Sequence, residues 1–105
     1  MATYMLVYHG GGSPSSDTER EAVTAAWTQW FTDLGAATVD RGNPTSHSMT
    51  VSTDGSVADG GGANPATGYS ILSAGSLESA AKLAKGCPHL ATGGSVEVAE
   101  IFDAM

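Results

Sequence analysis

The sequence predicts an α+β domain: an antiparallel sheet with two helices on one face. Three observations predict it, namely β-rich apolar segments, two segments with apolar residues at helical spacing, and Gly or Pro punctuation between them. At 105 residues the chain reads as one domain over residues 1–105.

Thr3 to His9 (TYMLVYH) is dense in aromatic and β-branched residues and stops at Gly10-Gly11-Gly12. It reads as a strand apolar on both faces, hence central in the sheet. Ser16 with Glu19 fits a capping box, and Val23, Trp27, Trp30, Phe31 and Leu34 form one stripe on a helix over residues 17–34. Both tryptophans read as core, and Gly35 stops the helix. Ala36 to Asp40 is a second strand and Gly42-Asn43-Pro44 a turn. Ser48 to Ser52 is a polar-alternating strand, and Asp54-Gly55 signals a hairpin with a short return through Val57.

Asp59 to Pro65 (DGGGANP) reads as a loop, and Gly68 to Ala74 as the fourth main strand. Ser76 caps a second helix whose buried stripe is read as Leu77, Ala80, Ala81 and Ala84. Gly86 closes it and Pro88 prevents it from resuming. Ser95 to Phe102 is the last strand. The order β-α-β-β-α-β is that of a split βαβ, ferredoxin-like domain, in which right-handed crossovers put both helices on one sheet face. The other face, with Met5 and Val7, is apolar and needs cover. A second copy supplies it most simply, so the expectation is a homodimer in which two sheets pack face to face as an α+β barrel.

Charge excludes several partners. Eleven acidic residues against four basic ones give a net charge of −7, and Arg20, Arg41, Lys82 and Lys85 are scattered singly. Nucleic acid and anionic membrane surfaces both require clustered cations, so neither is expected. No stretch approaches the ~20 apolar residues of a membrane helix, and Met1 to Tyr8 has no cationic leader. One cysteine, Cys87, makes neither an internal disulfide nor a paired metal motif. The expectation is a cytoplasmic protein.

Chemistry-bearing residues are few. His9-Gly10-Gly11-Gly12 lacks the nucleophile elbow that would make it an oxyanion loop. With no Lys or Arg inside it, and Asp17 and Glu19 beside it, it reads as a plain loop rather than a phosphate cradle. His9, His47 and His89 have no short paired spacing, so no metal site is expected, and no cofactor. His89 follows Gly86-Cys87-Pro88, where the chain must turn. It is the candidate acid–base group, with Asp59 as orienting carboxylate and Asp40 as the other available one. Cys87 beside it has only Lys85 close and reads as inert. His9, Asn43 and Tyr69 are the residues expected to line a small-molecule cleft.

Several segments together resemble the YCII-related family, in its DGPF-type branch. They are Tyr4-Met5-Leu6-Val7-Tyr8, Trp27-x-x-Trp30 with Leu34-Gly35, Gly42-Asn43-Pro44, Val57-Ala58-Asp59-Gly60 with Gly68-Tyr69, Leu77-Glu78-Ser79-Ala80, Cys87-Pro88-His89-Leu90, and Gly94-Ser95-Val96-Glu97-Val98. The resemblance spans nearly the whole chain and implies a dimeric α+β barrel. It also implies a regulatory context, and in a related branch a dehydrochlorinase with a His–Asp pair. Two departures stand out. The namesake Asp-Gly-Pro-Phe is here Asp59-Gly60-Gly61-Gly62, and the positions of the enzymatic His and Asp hold Thr24 and Cys87. The reading is therefore a homodimeric barrel of unassigned function, with a cleft between sheet and helices for a small uncharged or aromatic molecule. Its alternatives are a lyase or isomerase working through His89 and Asp59, and a regulatory interaction module.

Overall fold

Alternation along the first strand, β1 (Ala2–His9), sorts its side chains onto two faces. Tyr4, Leu6 and Tyr8 are buried, while Met5 is exposed and Val7 half-buried on the opposite side. The computed structural model describes residues 1–103. After β1 come α1 (Asp17–Leu34), β2 (Thr38–Asp40), β3 (Met49–Val51), β4 (Val57–Asp59), β5 (Ala66–Ala74), α2 (Leu77–Ala84) and β6 (Ser95–Ile101). Four strands form the main sheet in the order β2-β5-β1-β6, and every neighbouring pair is antiparallel. The fold is α+β, as the sequence predicts. Among the described residues no helix is long and apolar enough to cross a membrane.

Local chemistry sets the element ends. Ser16 Oγ accepts the Glu19 amide at 3.1 Å. The Glu19 carboxylate, however, reaches back to the amide and hydroxyl of Ser15, both at 2.8 Å, not to Ser16. Those bonds hold the Glu19 carboxyl below its usual range. Gly35 (φ 54) ends α1 by donating to Phe31 O and opens a 3-10 turn over 35–37, which takes up Ala36 and Ala37 where the sequence reads as strand. In α2 Ala80 and Ala84 are buried and Leu83 is half-buried beside them, while Leu77 and Ala81 are exposed. Leu83, not Leu77, faces the sheet, packing beside Ala80 and Ala84. The core joins Leu6, Tyr8 and Leu72 of the sheet to Trp30 and Phe31 of α1 and to Ala84 and Cys87.

The hairpin that Asp54-Gly55 signals is present, but it stands apart from the main sheet. β3 and β4 pair only with each other, Met49 with Asp59 and Val51 with Val57, making a separate two-stranded arm. Gly55 (φ 86) and the Asp54 carboxylate, which accepts the Ser56 amide at 2.9 Å, form its turn. Every residue of both strands is exposed. The molecule measures 44 × 41 × 18 Å, so it is broad and thin.

Candidate functional site

A cleft of about 440 Å³ lies between α1 and the sheet, within the size range of small-molecule sites (roughly 300–1,000 Å³). Helical spacing on α1 turns Val23, Trp27 and Phe31 toward it, with Thr24 and Thr28 alongside. Tyr8 at the end of β1 completes the aromatic wall. Tyr8 and Trp27 meet edge to face at 5.2 Å, and Trp27 lies 5.9 Å from Phe31. Trp30 is core as expected, but Trp27 is only partly buried and is a cleft wall.

The opposite wall is the run Arg41–Pro44, fastened along β5. Tyr69 N donates to Asn43 O at 3.2 Å, Thr45 N to Thr67 O at 3.0 Å, and Gly42 N to the Asp40 carboxylate at 2.8 Å. Gly42 (φ 73) is obligatory, because a Cβ there would fall on the Tyr69 carbonyl. Behind this wall runs a buried polar chain: Tyr8 Oη donates to Ser70 Oγ at 2.7 Å, and Ser70 Oγ donates to Arg41 O at 2.7 Å. Burial pushes the Tyr8 phenol well above its ordinary range, so it stays a neutral donor. Cys87, beside it, is 3 % exposed, and burial raises its thiol in spite of help from Tyr8 and the His89 amide. That makes it a core residue, not a nucleophile. The Arg41 guanidinium lies over the Phe31 ring, 5.3 Å from its centre.

The residues expected from sequence divide sharply. Asn43, Tyr69 and His89 line the cleft, Tyr69 with its main chain, since its register opposite Val7 turns the ring to the other face. His89 is held as a structural clip. Its ring packs on Tyr8 at 5.3 Å, and its Nε2–H donates to His9 O at 2.9 Å. A Cβ on either Gly11 or Gly94 would collide with that ring, so two glycines make its slot. Because a carbonyl only accepts, Nε2 carries the proton.

Asp59 is elsewhere. It sits on the arm, lining a shallow depression with Ser46–Met49 and Gly60, and makes no hydrogen bond or ion pair with His89. The expected His89–Asp59 pair does not form within the chain, because the arm carries the carboxylate off the sheet and His89 bonds the end of β1 instead.

His9 does not line the cleft either. Its Nε2 meets Glu97 Oε1 at 3.0 Å, and its Nδ1 meets the carbonyls of Asn64 and Pro65 at 3.0 and 3.3 Å. All three are acceptors, so the ring is fully bonded only as the imidazolium. The Glu97 contact raises its pKa above the ordinary value, outweighing burial, with help from the two carbonyls. His9 is thus a clamp on the base of the arm. Among the described residues no three His, Cys, Asp or Glu side chains gather as a metal site.

Sequence reasoning missed Arg41 and the Tyr8–Ser70 chain. The one signal for Arg41 was its place just before Gly42-Asn43-Pro44, at an element end. Fold and site together define an α+β domain with an aromatic-walled cleft carrying one arginine. No family model and no curated protein matches the chain.

Proposed function

We propose that this chain is a small-molecule-binding protein of the YCII-related, DGPF type, with ferredoxin-like topology, working as a homodimeric α+β barrel. The observation that carries the binding reading is the cleft itself: aromatic on one side, polar on the other, and braced by a buried hydrogen-bonded chain. Such apolar concavities with a few fixed polar groups are where small ligands bind. The strand order β2-β5-β1-β6, with helices inserted after the first and third of its strands in the chain, supports the topology.

Surface area supports the dimer. The chain exposes 6933 Å², where a folded monomer of 10.6 kDa exposes about 5,500 Å². The excess of roughly 1,400 Å² exceeds the ~800 Å² each partner hides in a standard interface. Two of the surfaces that expose large apolar residues are broad enough to meet a partner. One is the open sheet face, with Met5 at 37 %, Val39 at 56 % and Ile101 at 41 % exposure around half-buried Val7 and Ile71. The other is the arm, where cross-strand pairing sets Met49, Val51 and Val57 on one side. An isolated hairpin is marginal in water, so this side favours a covering surface.

The test pairs sedimentation with binding. Analytical ultracentrifugation is expected to give a ~21 kDa species, twice the chain mass, at micromolar concentration. Aromatic probes are expected to change the fluorescence of Trp27 and raise the melting temperature. A monodisperse monomer removes the barrel, and a panel of aromatic probes without effect removes the binding reading.

A further inference from the structure

We propose that the cleft takes an aromatic carboxylate, with Arg41 receiving the acid group; this rests on the cleft being a ligand site. The first ground is charge. The chain carries eleven acidic residues, yet none lines the cleft. Asp40, next to Arg41 in sequence, is occupied in its own turn by the Gly42 amide at 2.8 Å. Arg41 is the cleft's fixed cation. Of the other cations, Arg20 pairs with Asp17 at 2.9 Å, and Lys82 and Lys85 do not line the cleft.

The second ground is geometry. The guanidinium stands over Phe31, so one face of its plane is covered by the ring. Among the described residues it enters no ion pair, which leaves its in-plane N–H fork open. That fork matches the two oxygens of a carboxylate. Its backbone is held still by the Ser70 hydroxyl and by the steric lock at Gly42, so little order remains to be gained on binding. Arg41 and Phe31 adjoin Trp27 and Tyr8, which sets a charged end beside an aromatic wall.

A single cation decides the anion class. A phosphate monoester brings nearly two negative charges and calls for more than one cation or a cradle of amides. A carboxylate brings one. Beyond about 8 Å the repulsion of the acidic surface is screened at physiological ionic strength, so the local pairing outweighs the net charge of −7.

Matched probes test it: phenylacetate, phenylacetamide and phenethyl phosphate, titrated into the wild-type protein and into Arg41→Gln and Arg41→Lys, read by Trp fluorescence and by NMR shifts of the Trp27 indole. Phenylacetate is expected to bind about tenfold tighter than the amide, equivalent to about 1.4 kcal/mol. The phosphate is expected to bind no better than phenylacetate. Arg41→Gln should erase the acid's advantage over the amide, with Arg41→Lys in between. Equal affinity for acid and amide, or an advantage that survives Arg41→Gln, overturns the assignment to Arg41 while the cleft stands. Tighter binding of the phosphate overturns the carboxylate class. Failure of every probe to move the Trp27 signal overturns the cleft reading and this inference with it. Arg41 is exposed, so both variants are expected to fold, which far-UV circular dichroism checks.

Discussion

Replacing Ser70 with Ala tests whether the buried polar chain braces the cleft. Ser70 is fully buried, accepts from the Tyr8 phenol at 2.7 Å and donates to the Arg41 carbonyl at 2.7 Å. Ser70→Ala strips a partner from each. The Arg41 carbonyl belongs to an exposed residue and can recruit water. Tyr8 is 5 % exposed, so its hydroxyl cannot readily do so and is left with only the weak sulfur acceptor of Cys87. The cost is then one orphaned buried donor, about 2 kcal/mol within the usual 1–3. For a chain of this size that lowers the melting temperature by roughly 10 °C. Tyr8→Phe removes the donor but leaves Ser70 bonded to Arg41, for about 1 kcal/mol. The double variant no longer holds an orphaned phenol, so it should cost about 2 kcal/mol, less than the sum of the two singles. Urea unfolding followed by Trp fluorescence measures all three from midpoints at constant slope. Ser70→Ala within about 0.5 kcal/mol of wild type, or strict additivity of the pair, would refute the bracing role.

Gly42→Ala places a Cβ on the Tyr69 carbonyl at a φ of 73, so it should destabilise by roughly 3 kcal/mol or more and abolish probe binding. Gly35→Ala meets no neighbouring atom, but φ 54 with ψ −123 suits glycine alone, so it should cost about 2 kcal/mol from backbone strain in the same unfolding assay. For His9, the folded pKa lies above the unfolded value near 6.5, so its contribution is full below that pH and lost as pH rises through the folded pKa. Hydrogen exchange at residues 60–66 should therefore speed up with pH beyond the intrinsic rate, and His9→Gln should flatten that added dependence. Ile71→Glu, on the open face, should halve the sedimenting mass and also weaken probe binding, though Ile71 does not line the cleft.

What was legible in the sequence was whatever neighbours along the chain decide. The stripe Val23–Trp27–Trp30–Phe31–Leu34 predicts the face α1 buries, and Ser16, Gly35 and Ser76 predict its ends and the start of α2. The α2 stripe was misread because so short an Ala-rich helix offers two similar apolar faces, and only the sheet's position selects Leu83 over Leu77. Of the three residues read as cleft lining, Asn43 and Tyr69 adjoin the cleft and His9 does not, while His89, read as an acid–base group, lines it as a clip. Non-local pairings were not legible. His9 finds partners 55 and 88 residues away, and Tyr8 reaches Ser70 across 62, distances over which one sequence carries no pairing information. The arm shows the same limit: Asp59 reads as available to His89 until pairing with Met49 carries it off the sheet.

One strand links the two surfaces on which the functional reading depends. Along β5 the pleat turns Gly68, Ser70 and Leu72 toward the helices and Tyr69, Ile71 and Ser73 toward the open face. The first set floors the cleft and anchors Arg41. The second lies on the face proposed to meet another copy. The Tyr69 amide holds Asn43, and its carbonyl excludes any side chain at Gly42, so the strand that would carry the interface also fixes the cleft's far wall. A sheet packed against Ile71 and Tyr69 would restrict this strand before any ligand arrives. Disturbing the strand from the open face would shift the Asn43 and Gly42 anchors, which is how Ile71→Glu reaches a cleft that it does not line.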